Sequence, residues 1–223
     1  MLAALLLFFA LTSASPLTLQ GDVRYTAIPD TKVPVQLGVM SRCPDALLCE
    51  NIFTSVLQKV SDKVDLSLRY IAKLDPSEPV FGVKCMHGPE ECAGNVQQLC
   101  MAEYSPSNWW EFIHCQNFEG RGKIGQPALA VKCAAALDID WNGSEVGRCA
   151  GRDGSGTGEQ GVKLLQESVK LSAKSNLTKS CTVVINHEKV CVHDGIWKEC
   201  ENGHSVLDFV RQIKDAYELL NED

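Results

Sequence analysis

The chain has 223 residues, 45% hydrophobic and 22% charged, an ordinary globular balance with enough apolar material for one good-sized domain carrying an insertion. Its formal net charge of -7 argues against a nucleic-acid groove or a polybasic membrane surface. Eleven cysteines without paired zinc spacing read as disulfides in an oxidising compartment, and the odd count leaves at least one thiol free, mixed or available for a covalent dimer.

Met1 to Leu11 is almost wholly apolar and is followed by Thr12-Ser13-Ala14-Ser15, the pattern of a secretory signal peptide over 1–14, with cleavage expected after Ala14. The run is shorter than the roughly 20 residues a membrane span needs, and no later segment suits a membrane anchor. Two sequons, at Asn142 and Asn176, fit the same route and are expected glycosylation sites. The expected destination is the extracellular medium or a lysosomal or vacuolar lumen.

Residues 15–32 read as an extended lead-in. Val33, Val35, Leu37 and Val39 alternate with small or polar residues, which predicts a strand. Cys43-Pro44-Asp45 opens a helix with proline near its first position, and Leu48, Ile52, Val56 and Val60 form its expected apolar stripe. Val64, Leu66, Leu68 and Tyr70 alternate again. A strand, a helix and a second strand within some forty residues make a βαβ unit, so these strands should be parallel. Asp75 to Pro79 is a turn-rich break.

From Pro89 to about Asp140 the reading is helical and cysteine-rich, with starts near Pro89, Ser105 or Pro106, and Pro127. Asp153 to Gly158 is a glycine-rich joint, and Thr157 to Gln160 suggests a capping box for a helix reaching about Lys174. Thr182–Asn186 and Lys189–Val192 flank a polar turn and predict a hairpin. A last helix runs from about Ser205 to Leu220, with Leu207, Val210, Ile213, Tyr217 and Leu220 as its expected buried stripe. The order β-α-β, helical block, α-β-β-α is that of an α/β thioredoxin-like fold over 33–223 with a cysteine-rich helical insertion at about 80–150.

One segment carries a family resemblance. Cys85-Met86-His87-Gly88-Pro89-Glu90-Glu91-Cys92-Ala93-Gly94-Asn95-Val96-Gln97-Gln98-Leu99-Cys100 resembles the signature C-Q-H-G-x-x-E-C-x-x-N-x-x-x-x-C of the gamma-interferon-inducible lysosomal thiol reductase (GILT) family. Each fixed position matches except the glutamine, replaced by Met86. The resemblance implies a thioredoxin-like fold and an enzyme that reduces protein disulfides; a small thiol would recycle it without a bound cofactor, and the charge argues against a nucleic-acid partner. Cys85, His87, Gly88, Glu91, Cys92, Asn95 and Cys100 are expected to be structural, with no metal site among them.

In a reductase of this fold the nucleophilic cysteine follows the first strand and starts the first helix, where the helix N-terminus stabilises a thiolate. Cys43 holds that place and is the expected nucleophile, forming a mixed disulfide with substrate. The resemblance implies a C-x-x-C partner, but here the spacing is C-x5-C, to Cys49. Six residues of regular helix rise about 9 Å, whereas a disulfide needs its Cα atoms within about 7 Å. Cys43 and Cys49 can therefore pair only if Asp45 to Leu48 form a turn or bulge. Alignment with the fold also puts Cys181 at or beside the position of a cis-proline, next to Cys43. Cys191 and Cys200 are placed to pair with each other, which leaves Cys43, Cys49 and Cys181 as one neighbourhood. Three readings stay open: Cys43 and Cys49 as a redox pair; a bond from Cys43 or Cys49 to Cys181, as exchange centre or structural bridge; and a catalytically inactive secreted binding or effector protein. Trp109, Trp110 and Phe112 are expected to pack the insertion against the core, and His114, His187, His193 and His204 show no nucleophile pattern.

Overall fold

The computed structural model describes residues 30–222, so the expected signal peptide and most of the lead-in lie outside the described residues. The core is a five-stranded sheet in the order β2-β1-β5-β6-β7. β1 (Val33–Val39) and β2 (Val64–Tyr70) run parallel, Val33 opposite Val64 and Val39 opposite Tyr70, joined by α1 (Pro44–Val60). β1 also pairs antiparallel with β5 (Thr182–Ile185), which forms a hairpin with β6 (Glu188–Asp194). The hairpin turns through Asn186 and His187, both with positive φ, as a tight turn between twisted strands requires. A further short strand, β7 (Ile196–Lys198), extends the sheet. The alternation in β1 puts Val33, Val35, Leu37 and Val39 wholly out of water, so the first strand is the centre of the core.

β2 is an edge strand, and its last exposed main-chain groups are capped by side chains of α6 (Glu159–Lys174). The Tyr70 amide donates to Ser168 Oγ at 2.9 Å, and Ser172 Oγ donates to the Tyr70 carbonyl at 2.9 Å. Closing the chain, α7 (Val206–Asn221) packs on α1, with the Phe53 and Phe209 rings 5.1 Å apart.

Between β2 and α6 lies the insertion: α2 (Pro89–Tyr104), α3 (Trp109–Glu119), α4 (Pro127–Ala135) and α5 (Glu145–Ala150), after a small two-stranded sheet of β3 (Lys73–Leu74) and β4 (Val83–Lys84). Three disulfides close inside it: Cys85–Cys92, Cys100–Cys149 and Cys115–Cys133. A buried amide chain then ties it to the sheet. Tyr70 OH donates to Gln98 Oε1 (2.7 Å), Gln98 to Gln116 (2.9 Å), Gln116 to Gln97 (3.0 Å), and Gln97 Nε2 to the Gly154 carbonyl (2.8 Å). Each buried amide thereby finds a partner in a region where an unpaired one would cost about 1–3 kcal/mol. Phe112 is fully buried, and Trp110 Nε1 donates to Thr54 Oγ1 of α1, so these aromatics join the insertion to the core.

The structure corrects several local expectations. α1 buries Ala46, Cys49, Phe53, Val56 and Val60, while Leu48 is exposed, because the buried face is rotated by one residue from the expected stripe. α7 likewise buries Phe209, Val210, Ile213 and Ala216 and leaves Leu207 and Leu220 exposed. Its start has a capping box from Ser205 and Asp208. No capping box forms at Thr157: the N-cap of α6 is Gly158, whose missing side chain lets the backbone approach Cys149 O, where a Cβ would sit 2.2 Å away. The glycine-rich joint around it is closely packed, since a Cβ on Gly156 would meet Ala93 O at 2.5 Å. β3, β4, β7 and α5 are too short for periodicity to reveal.

Candidate active centre

Cys43 is the N-cap of α1, extended at φ -78° and ψ 129°, and no side chain caps the first-turn amides. Pro44 follows at the first helical position, where its missing N–H removes nothing the helix needs. The Cys43 amide donates to Met40 O at 2.9 Å, closing the turn from β1 into α1. The amides and dipole of a helix start favour a nearby negative charge in general.

All eleven cysteines are among the described residues, and Cys43 is the one without a disulfide. It is 7% exposed, whereas Cys49 and Cys181 are wholly buried and bonded to each other with Cα atoms 6.3 Å apart. Cys191 and Cys200 form the fifth bond. α1 is regular from Pro44, without the turn or bulge at Asp45 to Leu48 that a Cys43–Cys49 bond would need. The structure thus joins Cys49 to Cys181 and leaves Cys43 as a thiol beside them.

The Cys43 sulfur lies 3.6 Å from Ser180 O and 3.8 Å from Asp45 Oδ2, two acceptors for a thiol proton. Asp45 Oδ1 meets His193 Nδ1 at 2.6 Å and accepts the Gly195 amide at 3.0 Å. His193 sits in β6 opposite Cys181, and the two exchange main-chain bonds of 3.0 and 2.9 Å. The Ser180–Cys181 peptide is cis. Ser180 Oγ accepts the Met40 amide at 3.0 Å, fastening this segment to the end of β1. The His193 ring stands edge-on to Trp197 at 4.8 Å, and Trp197 stacks on His204 at 5.1 Å.

The segment that carries the family resemblance folds against the same turn. Glu91, fully buried, accepts His87 Nδ1 at 2.5 Å and the His87 and Arg42 amides at 3.2 and 3.3 Å. Asn95 Oδ1 accepts the Ser41 amide at 3.1 Å, and its amide group faces Cys85 Sγ at 3.9 Å. Gly88 has a φ of 90° at the start of α2, which suits glycine. Gly94 allows the close approach, since a Cβ there would lie 2.8 Å from Ser41 Oγ. Arg42 donates to Ile124 O (2.8 Å) and pairs with Glu90. The residues preceding Cys43 are thus held by buried groups from α2. Cys85 and Cys92 are oxidised to a disulfide, and among the described residues no group of three His, Cys, Asp or Glu side chains is placed to hold a metal.

Beneath the first turns of α1, Glu50 is buried and accepts Asn117 Nδ2 of α3 at 2.5 Å. Burial pushes its carboxyl up to about 7, partly offset by the Asn117 bond. Neither Glu50 Oε1 nor Asn117 Oδ1 has a hydrogen-bond partner. A neutral Glu50 makes chemical sense here, because a carboxylic acid can donate where a carboxylate cannot. Asn142 and Asn176 both lie on the surface.

Sequence reasoning missed Asp45, His193 and Ser180. Asp45 was within sight, two residues after Cys43. His193 stands 148 residues from Asp45, and no spacing rule connects them.

Comparison with solved structures places the architecture. The chain is similar to BdbD from Bacillus subtilis (TM-score 0.57, 15% identity, 83% of this chain and 88% of that one). It is also similar to MdbA, a thiol-disulfide oxidoreductase from Actinomyces oris (0.55, 13%, 83% and 80%), and to a thioredoxin-like oxidoreductase from Silicibacter pomeroyi (0.52, 13%, 87% and 90%). These likenesses define the fold as that of the thioredoxin-like thiol-disulfide oxidoreductases. The family model for gamma interferon inducible lysosomal thiol reductase matches residues 34–137. GILT-like protein 1 of Drosophila melanogaster is 27% identical over 182 residues, 73% of this chain and 69% of that protein. With the signature from Cys85 to Cys100, these two matches give the extent of the chain's likeness to the GILT family.

Proposed function

We propose that this protein is a thiol-disulfide oxidoreductase that reduces or exchanges disulfides of protein substrates through a mixed disulfide at Cys43. The observation that carries the reading is the single unpaired thiol at the N-cap of the first helix, on a fold shared with oxidoreductases. A Cys43 thiolate attacks one sulfur of a substrate disulfide, and the other sulfur leaves as a thiol. A small thiol then frees Cys43 and recycles the protein without a bound cofactor.

The proposed setting is the secretory route, ending outside the cell or in a lysosomal or vacuolar lumen. Five disulfides and two surface sequons support it. Among the described residues no helix is long and apolar enough to cross a membrane.

The test is disulfide reductase activity at pH 5 and pH 7.5, for wild type and Cys43→Ser, with a small thiol as reductant. The proposal expects activity in wild type and none above background in the variant. A second reading, a catalytically inactive binding or effector protein on the same fold, draws on the near-complete burial of Cys43 and the bonding of Cys49. It would be chosen if wild type were inactive and Cys43 resisted alkylation in the native state.

A further inference from the structure

We infer that Cys181, not Cys49, resolves the mixed disulfide at Cys43, and that the Cys49–Cys181 disulfide is the oxidised end of the catalytic cycle. This inference rests on the Cys43 reading above and deepens it. Two contacts place Cys181 beside Cys43. The Cys43 sulfur is 3.6 Å from the carbonyl of the peptide unit that leads into Cys181. Asp45, which faces the same sulfur, is bonded to His193, and His193 is the main-chain partner of Cys181. Cys49 lies six positions after Cys43 on regular helix that starts at Pro44, a rise of about 9 Å, beyond the roughly 7 Å a disulfide spans between Cα atoms. Cys181 is within bonding reach of Cys49, since it bonds to it here. It is therefore the residue able to serve both.

The cycle starts from three thiols. The Cys43 thiolate attacks R–S–S–R′, forms Cys43–S–S–R and expels R′S⁻. The Cys181 thiolate attacks the Cys43 sulfur, forms Cys43–Cys181 and expels RS⁻. The Cys49 thiolate then attacks the Cys181 sulfur, forms Cys49–Cys181 and returns Cys43 as a thiol. The substrate gains two electrons and two protons, and both come from the thiols of Cys49 and Cys181. The end state is the arrangement seen here: one free thiol at Cys43 and a bond between Cys49 and Cys181. Since Cys49 and Cys181 are wholly buried, the pair communicates with solvent only through Cys43. Two equivalents of a small thiol restore the starting state by the reverse route and leave as their own disulfide.

The experiment uses 5,5′-dithiobis(2-nitrobenzoate) as the disulfide probe. The intact protein is treated with a dithiol just until mass mapping shows Cys49 and Cys181 free, then desalted and given less than one equivalent of probe. Wild type is expected to release both thionitrobenzoates and end with Cys49–Cys181. In Cys181→Ser, release should stop after the first, or the second should slow at least tenfold, with the adduct mapped to Cys43. In Cys49→Ser, both should be released and a Cys43–Cys181 bond should be found; this variant keeps the question answerable if Cys181→Ser does not fold. Unslowed second release in Cys181→Ser, or a lasting Cys43 adduct in Cys49→Ser, overturns the inference and leaves the Cys43 reading standing. Absence of any adduct or exchange at Cys43 in all variants overturns the Cys43 reading itself.

Discussion

The insertion and the proposed redox end of the sheet use cysteine in opposite ways. In the insertion six cysteines make three bonds, each inside the region, and a chain of buried glutamine amides links its helices. At the end of β1 three cysteines from α1 and β5's leading residue share one bond, which leaves a thiol among carbonyl and carboxylate acceptors. An even, locally closed set acts as a staple. An odd set leaves one thiol unpaired, and in the proposed cycle the bond passes from one sulfur to another. The contrast teaches that pairing parity within a neighbourhood, rather than cysteine density, separates the stapled scaffold from the proposed redox centre.

The largest expected effect falls on the redox end. Cys43→Ser should abolish reductase activity while leaving the melting temperature close to wild type, because Cys43 closes no disulfide. A variant that kept full activity would dissolve the distinction between the two regions. Opening a staple should do the reverse. Replacing Cys115 and Cys133 by alanine removes a crosslink across 18 residues, which should lower unfolding free energy by about 3 kcal/mol. Denaturant titration measures that loss, and the alkylation rate of Cys43 should stay within about twofold of wild type.

Glu50 joins the two regions through Asn117, and its titration sharpens the comparison. Its folded pKa of about 7 lies above the unfolded value of 4.5. The native state therefore holds a proton that the unfolded chain releases, and stability falls as pH rises between those values. The difference of about 2.5 units corresponds to a loss of order 3 kcal/mol, fully present above about pH 7. Glu50→Gln should flatten that slope and be more stable than wild type at pH 8, as read by denaturant unfolding at several pH values. A wild-type slope of zero over this window would show that the carboxylate is tolerated in place. The smallest effect belongs to the start of α7: Ser205→Ala removes its cap and should cost about 1 kcal/mol in denaturant unfolding.

Much of this architecture was legible in the chain. Alternation fixed β1 and β2, Pro44, Pro89 and Pro127 marked helix starts, and the span from Cys85 to Cys100 pointed to the family. Element order then gave the fold, because a strand-helix-strand unit admits few arrangements. Periodicity was less exact about which residues of a helix face inward. Leu48 and Leu207 are apolar and at helical spacing yet exposed, while Phe53 and Phe209 are buried with their rings 5.1 Å apart.

What the sequence determined by itself was the inventory: a thiol at the right strand-to-helix junction, a count of cysteines that cannot all pair, and a spacing to Cys49 too long for one regular helix. What only the tertiary structure decided was the partnership. The choice of Cys181 for Cys49 and the approach of His193 to Asp45 depend on β5 pairing with β1 and β6 with β5, across 132 and 148 residues of chain. Such contacts are set by how the sheet closes against α1, and local propensity carries no information about them.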